Sequence, residues 1–166
     1  MVGYLRVFSV GDKIIYNENG VCTVEMIAPL DLSDGRLYYH LQPLVGSGKY
    51  FSPVDSAAFM RPVMNREEAE ALIASIPEIE PAVCYDTRFN HVDAYYKELF
   101  KKHTPEALVS IIKGLRIRSI GKKAKSSRAE ATMKRAKEAL YGELSVALSI
   151  AYPATEEYVK NQIGEV

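Results

Sequence analysis

Cysteine is scarce in this 166-residue chain: Cys22 and Cys84 stand alone and far apart. With no second Cys or His at ligand spacing, they offer neither a disulfide framework nor a zinc site, and both read as small buried hydrophobes. The three histidines, His40, His91 and His103, are equally isolated. The His-Glu-x-x-His and Gly-x-Ser-x-Gly patterns are missing, as is a phosphate-cradling glycine-rich loop. A Cys84 and His91 thiol–base pair can be drawn, but the sequence supplies no orienting third group and no helix N-terminus for the thiol. Glu78, Glu80 and Asp86 fall in a proline-rich connection and read as solubilising charges. No catalytic residue, metal or cofactor is therefore expected.

No apolar run approaches the length that crosses a bilayer, and residues 1–6 lack the basic-then-apolar layout of a signal peptide. The expectation is a cytoplasmic protein with no membrane contact and no small-molecule substrate. Net charge is absent too, since 21 Lys and Arg balance 21 Asp and Glu. That zero conceals unlike parts. Residues 1–100 carry 8 basic against 14 acidic side chains, residues 101–137 carry 12 against 2, and residues 138–166 carry 1 against 5. A local basic field attracts phosphate whatever the whole-chain balance.

What is present divides the chain into an expected N-terminal domain, residues 1–64, and a C-terminal one, residues 65–166. Residues 8–27, FSVGDKIIYNENGVCTVEMI, hold a strand, a turn and a strand. Val10-Gly11-Asp12 leads into the first strand, Asn19-Gly20 suits positive φ in the hairpin, and Val21, Thr23, Glu25 and Ile27 alternate with Cys22, Val24 and Met26. Asp34-Gly35 marks a further turn. Residues 36–44 then read as a strand with Leu37, Tyr39 and Leu41 on one face, residues 49–52 as a fourth strand ended by Pro53, and residues 57–63 as a short last one at an edge. Five short strands in about sixty residues favour a small SH3- or Tudor-like β-barrel, a recognition module with an open strand edge. Tyr38, Tyr39, Tyr50 and Phe51 could stack on bases, but this half is acidic, and a division into core and strand-forming residues is preferred.

From Asn65 the period becomes helical. Asn65 and Glu68 form a capping box before Ala69, Leu72, Ile73 and Ile76, and residues 77–85 read as a linker or loop. A second helix is expected from Asp86 or Thr87, with Val92, Tyr95, Tyr96, Leu99 and Phe100. Thr104-Pro105-Glu106 opens a third, with Leu108, Ile111, Ile112 and Leu115 as its stripe, and Gly121 breaks the pattern. Ser127 with Glu130 reads as the capping box of a long helix bearing Met133, Ala136, Leu140, Leu144 and Leu148. After Pro153, Thr155-Glu156-Glu157 starts a short last helix. The fold class is thus α+β, a five-stranded barrel followed by an all-α helical bundle.

The bundle places the basic residues. Lys113, Arg116 and Arg118 end one helix, Lys122, Lys123 and Lys125 occupy the connecting loop, and Arg128, Lys134, Arg135 and Lys137 lie on the next helix. The charges converge on one patch that acids at i+4 do not neutralise, which points to nucleic acid held by salt-dependent phosphate contacts.

Three stretches resemble the CarD/CdnL family of bacterial RNA polymerase-binding transcription regulators, whose small barrel also occurs in transcription-repair coupling factors. These are FSVGDKIIY with Gly20, YFSPVDS at residues 50–56, and the Ala136-Lys137 and Leu140-Tyr141-Gly142-Glu143-Leu144 run. The resemblance implies a barrel that binds the polymerase β subunit, and a helical domain that contacts promoter DNA at the upstream edge of the bubble without reading sequence. It also implies an aromatic wedge in the minor groove that favours the open complex. The family's wedge is commonly Trp, which this chain lacks. An ungapped alignment back from Thr104 puts Phe89 there, beside Arg88; a gap shifts the choice to Tyr95 or Tyr96, and Phe89 also fits a bundle core. Positions that carry Arg on the family's polymerase-facing surface correspond to Leu30 and Phe51, in a contact region expected to include Lys49 and Tyr50. The resulting expectation is a nucleoid-associated transcription regulator; the alternative is an interaction adaptor whose basic face binds RNA or an acidic protein.

Overall fold

The computed structural model describes residues 7–31, 35–56, 58–123 and 126–166. Asp34 and Ala57, which belong to an expected turn and to the expected last strand, lie outside them, as do residues 1–6. The chain divides into two compact units, Met1–Val63 and Met64–Val166.

The first unit begins with a turn that explains its Gly-Asp pair. Gly11 takes φ +94°, Asp12 N donates to Ser9 O at 3.0 Å, and the Asp12 carboxylate accepts from Ser9 N at 2.8 Å. A glycine at the third position and an acid closing the turn on its own backbone are what such a reversal requires. The strands β1 (Lys13–Tyr16), β2 (Val21–Pro29), β3 (Leu37–Pro43), β4 (Tyr50–Pro53) and β5 (Met60–Pro62) follow. They form one antiparallel sheet in the order β4-β3-β2-β1-β5, and among the described residues no ladder joins the two end strands, so the sheet is open rather than a closed barrel. Ile14, Cys22, Val24, Tyr39 and Leu41 build its core with Phe8, whose backbone N–H donates to the Tyr39 hydroxyl at 3.1 Å. Burial in this apolar setting pushes the Cys22 thiol up to about 11.

Two local readings change. Positive φ in the hairpin falls on Asn17 and Gly20, not on Asn19 with Gly20. Asn17 has a further task, since its N–H donates to Phe59 O at 2.9 Å and its side-chain oxygen accepts from Phe59 N at 3.0 Å, which ties the hairpin to the approach of β5. The strict alternation along β2 also fails, because the register shifts between Val24 and Met26. A bulge there inserts one residue, so Met26 turns outward and Ile27 packs inward.

The second unit contains α1 (Arg66–Ser75), a 3-10 turn (Ile76–Glu78), α2 (Phe89–Phe100), α3 (Pro105–Ser119), α4 (Ser127–Leu148) and α5 (Tyr152–Ile163). The capping box at Asn65 and Glu68 forms as read, with both bonds at 2.8 Å, and Thr104 caps α3 by accepting from Ala107 N. Leu140, Leu144 and Leu148 of α4 are buried against Ile111 and Ile112 of α3 and Ile73 of α1 in one core. Buried Glu143 of α4 accepts from Met64 N at 2.9 Å. Three boundaries differ from expectation. Ser126, not Ser127, occupies the position before α4 and makes no side-chain capping bond. α5 starts at Tyr152 with Pro153 in its first turn, where a missing N–H is harmless. Asp86 and Thr87 precede α2 rather than open it. Among the described residues no helix is long and apolar enough to cross a membrane.

Candidate functional site

Residues 77–85 read as a linker or loop, yet residues 79–88 form a strap bound along α3. Its backbone polar groups need partners, and α2 and α3 supply them. Ala82 N donates to Ser110 O at 2.9 Å, and the Tyr96 hydroxyl donates to Ala82 O at 3.2 Å. Lys113 Nζ donates to the carbonyls of Ile76 and Ile79, the latter at 2.8 Å. The Arg118 guanidinium donates to the carbonyl of Cys84 and, at 3.1 Å, to that of Asp86. The approach at Gly114 is so close that a Cβ there would lie 1.7 Å from Ala82 O. Lys113 and Arg118, expected to contact phosphate, are thus turned to the strap.

Where the strap meets α2, Asp86 gathers three donors. Its carboxylate accepts from Arg88 N at 2.9 Å, from the Arg88 guanidinium at 2.7 Å, and bonds His91 Nδ1 at 2.8 Å. The hydrogen bonds from Arg88 hold the Asp86 carboxyl well below the usual carboxylate range, with His91 adding to the effect. This turn delays the start of α2 to Phe89 and gives His91 an orienting carboxylate that the sequence reading denied it. The Cys84 thiol is buried in the core.

The aromatic side chains separate by exposure. Tyr96 is 3% exposed, and Tyr95 packs against it with ring centroids 5.1 Å apart. Phe89 is 68% exposed, which removes it from the helical core. Tyr85, on the strap and 88% exposed, was passed over in sequence because its neighbours read as linker.

Phe89 lines a groove of about 580 Å³ enclosed by α2, α3, α4 and α5. Its apolar wall includes Val92, Leu115, Met133 and Tyr141, and Lys122, Arg128, Lys134 and Lys137 also line it. The tertiary fold therefore joins Phe89 to much of the basic loop and helix. It also brings acids from distant segments, which the i+4 argument could not detect. Arg128 pairs with Asp93 at 2.5 Å, Arg116 with Glu165 at 2.9 Å and Lys137 with Glu156 at 2.8 Å, whereas Lys134 meets an acid of its own helix at i+4, Glu138, at 3.8 Å, contrary to the expectation that such acids leave the patch alone. Arg135 instead lies over the Phe100 ring at 4.6 Å. Lys122 and Lys123 are exposed and pair with no carboxylate among the described residues. Lys125 lies outside the described residues. The Arg128–Asp93 pair is exposed on both sides, and such pairs contribute only about 0.2–1 kcal/mol each, whereas the Lys137–Glu156 pair is part-buried.

On the first unit, the outward face of the sheet carries a row that crosses three strands: Met26 lies opposite His40, and His40 opposite Phe51. The His40 and Phe51 rings meet edge to face at 5.0 Å, and His40 Nε2 bonds Ala28 O at 3.1 Å. Met26 is 52% exposed and Phe51 45%. Leu30, at the end of β2, is similarly exposed. Lys49 is committed to the bulge residue Glu25 at 3.0 Å, and Tyr50 turns inward to pack on Tyr16. Of the expected contact residues, Leu30 and Phe51 are the outward apolar ones. The bulge adds Met26, and its register places His40 beside it.

Residues 8–64 match the family model of the CarD-like/TRCF RID domain, which covers β1 to β5 and the turn before them. No curated protein matches the chain.

Proposed function

We infer, from a chain whose residues 8–64 belong to the CarD-like/TRCF RID family of RNA polymerase-interacting domains, that this protein is a non-enzymatic transcription regulator acting on promoter complexes in the cytoplasm, in association with the nucleoid. The observation that carries the reading is that match. In it, the first unit works as an open SH3- or Tudor-like sheet, with β5 returning to pair β1, and binds the polymerase β subunit through Leu30, Phe51 and the neighbouring Met26 and His40. β4 is an end strand, whose outer edge has backbone groups available to a partner strand.

The helical unit supplies the second contact. Phe89 acts as the wedge at the edge of the bubble, beside Arg88, while Lys122, Lys123, Lys125, Arg128 and Lys134 hold the phosphate backbone without reading sequence. Support comes from the exposure of Phe89 and from the groove that joins it to Lys122, Arg128 and Lys134. Together the two contacts stabilise the open complex.

The test uses the full chain with purified RNA polymerase and a linear promoter fragment. The expected result is binding that Phe51→Ala weakens, and an open complex whose half-life the protein extends. Phe89→Ala shortens that half-life by about tenfold, an inserted side chain being worth on the order of 1–3 kcal/mol, with polymerase binding intact. Failure to bind polymerase at all overturns the reading. An interaction adaptor whose basic face meets RNA or an acidic protein instead predicts polymerase binding with no change in open-complex lifetime.

A further inference from the structure

The groove of the helical unit is long and narrow. Its lining on α4 runs from Ser126 to Tyr141, about four turns and roughly 22 Å at 1.5 Å per residue. A volume of about 580 Å³ spread over that length admits one extended chain but not a helix, whose diameter with side chains is about 10–12 Å. Met133 stands at the midpoint of the run and shares the apolar wall with Val92 and Leu115. An extended peptide laid on that wall would leave backbone N–H and C=O groups unpaired, whereas an alkyl chain has none to pair.

The two ends of the groove are polar in different ways. Near the start of α4, Lys122 is exposed and pairs with no carboxylate among the described residues. The other cations of the lining are engaged: Arg118 serves the strap, and Arg128, Lys134 and Lys137 meet Asp93, Glu138 and Glu156. With Glu130, those three acids disfavour a polyanion inside the groove, while a single negative charge finds Lys122. At the other end Tyr141 is 3% exposed, yet its hydroxyl makes no hydrogen bond among the described residues. Burial, and after it the charge of Glu156, pushes that hydroxyl up, so it stands there as a neutral donor. A buried donor without a partner is costly unless something entering the groove accepts from it.

We propose that the groove binds an extended, singly charged amphiphile of the hydroxy-fatty-acid class, with its carboxylate at Lys122, its alkyl chain along Val92, Leu115 and Met133, and its distal hydroxyl accepting from Tyr141. Glu156, which lines the same end, is the acceptor for the ligand's own hydroxyl proton. The site involves neither polymerase nor promoter DNA, so it stands or falls apart from the function proposed above.

Calorimetric titration of the full chain compares 12-hydroxydodecanoate, dodecanoate and dodecyltrimethylammonium, each below its micellar concentration. The parent is expected to bind the hydroxy acid about fivefold more tightly than the plain acid, as one buried hydrogen bond supplies, and to leave the cation unbound. Tyr141→Phe keeps the ring and removes only an unbonded hydroxyl, so its melting temperature is expected to match the parent's. It should abolish the preference for the hydroxy acid while keeping the affinity for dodecanoate. Lys122→Gln should weaken both acids by about threefold, the scale of an exposed ion pair. Equal binding of all three amphiphiles by the parent, no binding of the hydroxy acid, or a hydroxyl preference that survives in Tyr141→Phe overturns the proposal.

Discussion

At the scale of single residues, Asp86 shows how a charge that looked solubilising in sequence acquires a structural task. Its carboxylate receives the Arg88 guanidinium, the Arg88 backbone N–H and His91, and Arg88 lowers its proton affinity most. The sign of the pH effect follows. A carboxyl with a depressed folded-state value contributes stability that is present above the unfolded value, about 3.9, and is lost as pH falls through the folded one. Asp86→Asn is therefore expected to lower the melting temperature at neutral pH, with a gap that holds down to about pH 5 and closes at more acid pH. Melting curves of parent and variant across that range test it, and a gap absent at neutrality would count against the network. Phe89 and Tyr85 belong to this scale as well. Phe89 was legible as a candidate, because alignment and type marked it, but its exposure was not: an aromatic beside Val92 and Tyr96 in sequence fits a core equally well.

At the scale of elements, the helices with a strong apolar period were readable before any coordinates. Capping at Asn65 and Thr104 and the stripe Met133, Ala136, Leu140, Leu144 and Leu148 are local features, and local physics sets them. The strap was not readable, because residues 79–88 have no period and their partners lie about thirty residues away on α3. Gly114 is the residue that permits this contact. In an exposed helix Gly→Ala would gain about 1 kcal/mol, but a Cβ 1.7 Å from the Ala82 carbonyl forces backbone apart. Gly114→Ala is accordingly expected to destabilise the chain by about 1–3 kcal/mol or more, as overpacking does. Urea unfolding decides the matter, and a stabilised variant would show that the strap does not rest on α3. The bulge between Val24 and Met26 is the corresponding case in the sheet, where an extra residue moved Met26 to the outward face and no sequence signal announced it.

At the scale of the whole molecule, the question is how a chain of zero net charge presents a basic surface. The excess over residues 101–137 is real, but Glu165, Asp93 and Glu156 answer part of it from outside that segment. Lys122 and Lys123 are left as exposed cations without such partners among the described residues, so they are expected to carry most of the salt dependence. Replacing both with Ala should reduce the slope of log K against log salt by about 1 for each lysine. Lys113→Ala should leave the slope unchanged and lower the melting temperature, since its charge is turned to the carbonyls of Ile76 and Ile79. A titration of DNA binding from low to moderate salt separates these outcomes, and equal slopes for all the variants would remove the patch from the interface. By itself the sequence determined the α+β class, the five strands, the five helices and the concentration of basic residues, because hydrophobic period, turn chemistry and composition act over short spans of chain. Only the tertiary structure decided which cations face solvent, which aromatic side chains are exposed, and that a supposed linker is a clamped strap. Those outcomes depend on carbonyls and carboxylates brought from distant positions, which a local pattern does not contain.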